Sequence, residues 1–586
     1  MNRFVVALTP SGRLSPEAAG YLTSPDVAEL PSPPARHVHW ADPGGTTHFA
    51  GWEAGPQRHS LVDAGLVSFA GMPRPRRMRW PADRPVAELL RASLRSRRWS
   101  PAECLSDAYN LVGLDKTGSG VITMDPLGLH PLYLATTGDV TVVGNRADLV
   151  AEVAARQSGR PARRNPLAGG WLALISHPVD DGTGFDGVRL FPQHTTARIH
   201  AGSVAFETDV SAFVCDPDEP LCDPAEVAEE LAADVVAALQ YAIGRSPDRP
   251  HLELTGGKDS RLVLAIALHA GLADSFTCVT YGPEKLPDMQ VARSVAASCG
   301  LTHEDVSASH VAAALSVPLA ERYLRHVHRT CGTSHLGNAN EPVARNVLSV
   351  AGMLGEIYRT ANDRDAAAPP QSWTEAAERF QSERHLNRLG LVRQEIAPAL
   401  IEQSISRYLE PRDAVRGPEA LRLAFYLRCR LPRWQGPLAD LHEHRVLPLY
   451  SPAAIRATFR MGHDARAQDP VHRYLIERTS PALAEHPLAN ERWRGNDAPQ
   501  AEPVDGATNV KRVAHPAQQE RRRVLLELLG ADGASPLFEL VDSARLRAEV
   551  ERLDESRRDD QDRVLGAMAA LIWLGRMERR RRVGDD

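Results

Sequence analysis

Six consecutive residues, Thr255-Gly256-Gly257-Lys258-Asp259-Ser260, assemble the ingredients of an anion site. The alternating Leu252-Glu253-Leu254 leads into them, and Leu262-Val263-Leu264-Ala265 follows as the start of an apolar helical pattern. That order reads as strand, tight loop and helix N-terminus. Glycines let the backbone approach a ligand closely, and the first amides of a helix have no intrahelical acceptor. Phosphate is the usual guest of such a turn. The G-x-x-x-x-G-K-[ST] phosphate loop is excluded, because Asp259 follows Lys258 and Leu252 stands where the first glycine belongs. Lys258 stands out in another way: the chain has only Lys116, Lys258, Lys285 and Lys511, with arginine nearly everywhere else. The plainer alternative is that Asp259 or Ser260 caps the helix.

Positioning such a loop takes a sheet, and the chain has room for one. Its 586 residues suffice for two or three domains with full cores. A net charge of −6 and a pI near 6.4 argue against a general nucleic-acid binder. Seven scattered cysteines without a C-x-x-C pair suit a reducing compartment rather than a disulfide framework or structural zinc. The opening Phe4-Val5-Val6-Ala7-Leu8 is short for a signal peptide, and no apolar run reaches membrane-spanning length. A soluble, cytoplasmic protein without a membrane span is expected.

Up to about Phe206 the pattern is short strands broken by Gly and Pro, among them Leu66 to Ala70, Ala108 to Val112, Val121 to Met124 and Val140 to Val143. Residues 207–225, acidic and proline-rich, read as a linker. A helix over Ala225 to Tyr241 precedes the loop. Phe276 to Gly282 then reads as a second buried strand, Asp288 to Cys299 as a helix and Asn346 to Ala351 as a third strand. Strands alternating with helices imply a parallel sheet with ligands at its carboxyl ends. Beyond Thr360 the chain turns helical, over Glu375 to Leu409, Pro418 to Arg430 and a final apolar helix from Arg563 to Met577. Asp363 to Gln371 reads as a loop, and Gly495 to His515, polar and proline-rich, as a mobile or disordered segment.

Several stretches together resemble the asparagine synthetase family. The loop is similar to its S-G-G-x-D-S pyrophosphate loop, with Thr255 for the first serine. Asp125-Pro126-Leu127-Gly128-Leu129-His130-Pro131-Leu132-Tyr133 looks like the D-x-x-G-x-x-P-L-Y-Y stretch of its glutaminase-type domain. Asp288 to His303 is similar to D-x-x-x-A-x-x-V-A-x-x-L-G-x-x-H, and Leu431-Pro432 with Glu443-His444-Arg445-Val446 resembles R-L-P…E-x-R-V-P-F-L-D. The resemblance implies an α/β chain. Residues 1–206 would form a glutaminase-like (Ntn-type) sandwich flanked by helices, and 226–586 an ATP-pyrophosphatase domain of adenine-nucleotide α-hydrolase type with a helical C-terminal part.

It implies chemistry as well: a carboxylate and ATP give an acyl-adenylate and pyrophosphate, and an amine then forms the amide. In that reading Thr255, Gly256, Gly257, Lys258 and Ser260 bind phosphate, and Asp259 holds Mg²⁺, a hard ion suited to carboxylates and phosphates. The family's second acidic cluster survives only as Glu356, a second Mg²⁺ ligand or else a plain surface carboxylate. Arg359 would pair with Glu356 or meet a phosphate. Glu443 would position or deprotonate the amine, or form an ion pair with Arg445. Arg473 falls near the family's late-acting lysine, and His303 and His442 read as structural. The family's glutaminase needs a cysteine after Met1, and Asn2 stands there. That substitution points to members whose amine belongs to the substrate, such as β-lactam synthetases and above all lasso-peptide macrolactam cyclases. The expected partner is a small molecule or a ribosomal peptide. An ammonia-using asparagine synthetase, a tRNA-modifying enzyme and a catalytically dead scaffold are the alternatives; the second would want a basic face and a placed cysteine, and neither is visible.

Overall fold

The computed structural model describes residues 3–27, 36–53, 59–62, 65–75, 105–208, 218–282, 287–306, 317–334, 347–359, 369–383, 386–438, 444–489, 493, 518–530, 535–553 and 559–584. In the first third, short strands pair into two six-stranded antiparallel sheets. One runs, in spatial order, Arg189–Leu190, Tyr133–Thr137, Val140–Gly144, Arg3–Leu8, Thr47–Glu53 and Arg36–Ala41. The other runs Ser203–Thr208, Thr195–His200, Gly120–Met124, Tyr109–Asp115, Gly65–Gly71 and His59–Val62. The period of two along Arg3–Leu8 explains how they stack. Phe4, Val6 and Leu8 meet Leu66, Val112, Leu114 and Ile122 of the second sheet. Val5 and Ala7 turn the other way, onto Tyr21 and Leu22 of the Pro16–Thr23 helix and Leu149 and Val153 of the Ala147–Ser158 helix.

After residue 250 the strands become short and parallel. The sheet order is His303–Asp305, Thr277–Thr280, His251–Glu253, Ser349–Ala351 and Arg445–Val446. The chain begins at the centre, moves outward on one side, then crosses to the other. The strand order therefore reverses between His251–Glu253 and Ser349–Ala351, and the carboxyl ends there are where an open parallel sheet places its ligand crevice. Leu254 to Gly257 and Gly352 to Leu354 are the loops that border it. The helices Pro224–Arg245, Lys258–His269 and Pro287–Ser298 supply a common core of Leu231, Val235, Leu262, Val263, Val291 and Val295.

The expected helical run from 375 to 409 is two helices, Trp373–Glu383 and Ala397–Leu409. Asn387 and Gly390 adopt positive φ (54° and 63°) between them, and the Asn387 amide bonds both N–H and C=O of Val392. Pro418 to Arg430 is also broken, ending in a π-turn over Tyr426–Arg430 before the short Leu431–Trp434 helix. The final helix spans Asp559–Gly584 and buries Val564, Leu565, Met568 and Ile572, as its apolar faces require. Residues 209–217 of the expected linker, 495–515, 360–368, Asn2, His442 and Glu443 lie outside the described residues. The described end of that linker is tied down: Cys222 N–H donates to Arg460 O (3.1 Å), and Arg456 pairs with Glu219 (2.6 Å). Among the described residues no helix is long and apolar enough to cross a membrane.

The sandwich and the parallel sheet meet through specific bonds. Both carboxylate oxygens of Asp107 accept from Leu447 N–H (3.2 and 3.0 Å), and Ser106 Oγ donates to Tyr450 O (3.0 Å). Asp125 accepts from Leu129 and His130 N–H (3.1 and 2.9 Å) and from the Tyr450 hydroxyl (3.4 Å).

Candidate functional site

The strand His251–Glu253 ends at Leu254, and the chain turns through Thr255, Gly256 and Gly257 into the Lys258–His269 helix. Ser260 closes the turn from inside the helix. Its hydroxyl takes the Thr255 N–H (3.0 Å), lies 2.9 Å from Thr255 Oγ1 and approaches Thr255 O (3.3 Å). Gly257 N–H donates to Thr255 Oγ1 (3.2 Å), and Gly256 N–H to Asp288 Oδ1 (2.9 Å), from the start of the Pro287–Ser298 helix. Loop amides expected to meet phosphate are thus held by protein acceptors, and Ser260 braces the loop. Behind the loop, Arg261 is fully buried and donates to the carbonyls of Leu483, His486 and Pro487 (3.1, 2.7 and 2.7 Å). This fixes the segment whose Ala489 N–H bonds Gly256 O (2.9 Å).

Lys258 differs from expectation. Its ammonium is buried and donates to Asp469 Oδ2 at 2.7 Å, with both side chains 1% exposed, and the Trp493 ring lies 5.4 Å away. The physical reason is desolvation: a buried ammonium requires a buried carboxylate, and Asp469, preceding the Pro470–Thr479 helix, provides it. A phosphate role for Lys258 is therefore not what this geometry displays.

Asp259 is the chemical centre. It sits in the first helical turn, its side chain 21% exposed, between His472 Nε2 (2.8 Å from Oδ1) and Arg359 (3.1 Å from Oδ2). Burial pushes its carboxyl up, but the His472 bond and the Arg359 charge outweigh that and bring it to about 2. It is a carboxylate at any ordinary pH. Glycine at 355 makes room for it, because a Cβ there would collide with Asp259 Oδ1; one at Gly352 would reach Ser260 N at 2.6 Å. The segment 352–358 is thus pressed against the helix N-terminus. Leu354, at φ 75°, turns it into the short helix Gly355–Tyr358, which carries Glu356. Burial raises the Glu356 carboxyl, and the charge of Asp259 raises it further. The Tyr426 hydroxyl donates to Glu356 Oε1.

The structure therefore brings Asp259, Glu356 and Arg359 together, although Glu356 lies almost a hundred residues beyond the loop. Arg359 bonds Asp259 rather than Glu356. Arg473 bonds Glu477 on its own helix (3.2 Å), while its neighbour His472 carries the contact to Asp259. Arg445 pairs with Glu253 (2.9 Å), and His303 with Thr280 Oγ1 (2.8 Å), a structural role. Sequence reasoning missed His472, Asp469 and Tyr426, and quoted Asp288 without a role. The Asp469-Pro470 pair is a helix-start signal that would have set Asp469 and His472 apart. Among the described residues no group of three or more His, Cys, Asp or Glu side chains is arranged to hold a metal alone. A carboxylate that makes its neighbour costlier to ionise, as Asp259 does for Glu356, nevertheless suits a site for a hard cation completed by phosphate oxygens. Burial drives the Cys278 thiol up to about 11 and raises Cys222, Cys331 and Cys429 too, so these four are poor thiolate nucleophiles.

No family model matches the chain, and no curated protein matches it. Among solved structures it is similar to the glutamine phosphoribosylpyrophosphate amidotransferase from B. subtilis, complexed with ADP and GMP. The TM-score is 0.18 and the identity 10%, over 52% of this chain and 65% of that one. The chain thus spans just under two thirds of that protein's length, and a likeness at this level transfers neither fold nor activity.

Proposed function

We propose that this chain is an ATP-dependent carbon–nitrogen ligase of asparagine synthetase type, with residues 1–206 a glutaminase-like sandwich, 207–225 a linker and 226–586 the synthetase domain. One observation carries the reading. At the point where the parallel sheet reverses its strand order, a Gly-Gly turn into a helix places the ionised Asp259 beside the buried Glu356. A substrate carboxylate oxygen would attack the α-phosphorus of ATP and displace pyrophosphate; an amine nitrogen would then attack the acyl carbon and release AMP. Asp259 and Glu356 would hold Mg²⁺, which supplies positive charge against the departing pyrophosphate. The protein's own part is preorganisation. Arg359 and His472 hold Asp259, Tyr426 orients Glu356, and Asp288, Thr255 and Ser260 shape the loop. Glu443 is proposed to position or deprotonate the amine, and the amine to belong to a ribosomal peptide that closes on its own Asp or Glu side chain. Holding both groups in one chain raises their effective concentration and needs no ammonia source.

The test supplies ATP, Mg²⁺ and a matured core peptide encoded beside this chain. The expected product is lighter by about 18 Da, one water expelled as the two held groups join. Asp259→Asn is expected to lower peptide-dependent pyrophosphate release by about 10²-fold or more, on the scale of losing a transition-state electrostatic contact. Efficient conversion of aspartate and ammonia to asparagine, with no peptide dehydrated, would replace the cyclase reading with a free-ammonia synthetase. No pyrophosphate release with any carboxylate would leave a scaffold.

A further inference from the structure

The π-turn Tyr426–Arg430 sits between the Leu421–Phe425 helix and Leu431–Trp434, and single π-turns inside helices gather at functional sites. An independent observation gives this one a purpose. Residues four apart in such a turn share a face, so Tyr426 and Arg430 approach the same neighbour. Tyr426 donates to Glu356, and the charge of Glu356 acts on Arg430 as well. Around it the arginines are engaged: Arg359 with Asp259, Arg428 with Glu410, and Arg433 with the carbonyl of Asp180. Arg430 has no hydrogen bond or ion pair among the described residues; its guanidinium lies 4.6 Å over the Trp434 ring. A second guanidinium, Arg422, is close enough for the charge of Arg430 to act on it. Withdrawing a guanidinium from water beside a like charge, with no anion bound, is costly. The indole face offsets part of that cost. A fork held against an indole, unspent and near Glu356, is suited to an incoming anion that this carboxylate would otherwise repel.

We propose that Arg430 is the oxyanion receptor of this crevice, stacked on Trp434 and donating to a carboxylate or phosphate group of a reactant. The assignment rests on the ligase reading for the source of that oxyanion: the acyl donor's carboxylate, or a phosphate of ATP. Two probes separate the sources, Mg·ATP and a blocked acetyl-aspartyl peptide amide, each titrated by calorimetry and by tryptophan fluorescence. Arg430→Met is expected to weaken one of them by about tenfold or more, as for loss of a charged hydrogen-bonded contact. Arg430→Lys should recover part of that affinity, and Trp434→Phe should abolish the fluorescence response. Loss in the ATP arm assigns a phosphate, and loss in the peptide arm a carboxylate. Arg430→Met binding both probes like the natural chain, with an unchanged circular dichroism spectrum, overturns the proposal, as does a natural chain that binds neither. Asp259→Asn separates the two claims. If Mg·ATP binding survives that change but not Arg430→Met, the ligase reading fails and Arg430 stands; the reverse pattern removes Arg430 and keeps the ligase.

Discussion

Asp125 in the antiparallel sandwich and Asp259 at the parallel sheet solve the problem of a withdrawn carboxylate in opposite ways. Burial lifts Asp125 to about 7, against hydrogen bonds from His130, Leu129, Tyr109 and Tyr450. Asp107 follows at about 6, lifted by burial and only partly restrained by the charge of Arg74. Asp259 is brought to about 2, because His472 and Arg359 overcome its burial. These two sandwich aspartates thus serve as hydrogen-bonding struts that ionise reluctantly, whereas the crevice keeps its aspartate charged between Arg359 and His472. Only the second arrangement has charge to offer a reactant.

The comparison is broken most severely where the crevice's charges are deepest. Lys258→Met strands Asp469, and we expect a loss of about 3–5 kcal/mol, the usual cost of halving a buried pair. Urea unfolding measures it, and adding Asp469→Asn should restore more than half; no recovery would mean that the pair is not the source. The pH response sharpens the contrast next. Because the folded Asp125 carboxyl stands above its ordinary value, its contribution is complete below pH 3.8 and is lost as pH rises through about 7. Asp259 works in the other sense, contributing above pH 3.8 and losing that contribution as pH falls through about 2. Asp125→Asn should flatten the stability decline between pH 4 and 7 by on the order of 3 kcal/mol, given a shift of that size. Denaturation at each pH tests this, and an unchanged slope would show Asp125 to be ionised in the fold. The smallest effect is expected on the outer side of the crevice. Arg473→Ala removes one pair with Glu477 on the same helix and should change stability by less than about 0.5 kcal/mol. Pyrophosphate release should stay within twofold; a larger fall would return Arg473 to the reacting groups.

The loop was legible because its signals are local. Alternation before Gly256, a glycine pair and an apolar helical run after Asp259 each constrain a few residues of backbone. The mixed architecture was legible for the same reason, since period-two segments fill the first third and strand–helix alternation follows it. The partners of Asp259 were not legible. His472 arrives from more than two hundred residues away, and on a helix adjacent residues point about 100° apart. Choosing Arg473 by position therefore selected a side chain facing another way. Lys258 looked like a phosphate ligand because a sequence shows charge but not burial, and only the packed structure reveals Asp469 beside it. The helical period from 375 to 409 hid a turn because the apolar spacing carried across it, although Gly390 beside Asn387 offered a glycine where positive φ was needed.

The bond from Asp107 to Leu447 also bears on how the parallel sheet ends. A parallel sheet ends in two rows of unpaired backbone groups, each a template for a foreign strand. At one edge, His303–Asp305 is guarded by its own acids, with Arg293 laid across Asp305. The other edge, Arg445–Val446, is two residues long and continues into a backbone that the sandwich captures through Asp107 and Ser106. The sandwich therefore shields that margin from foreign strands. Removing those contacts would uncover a strand edge next to the crevice.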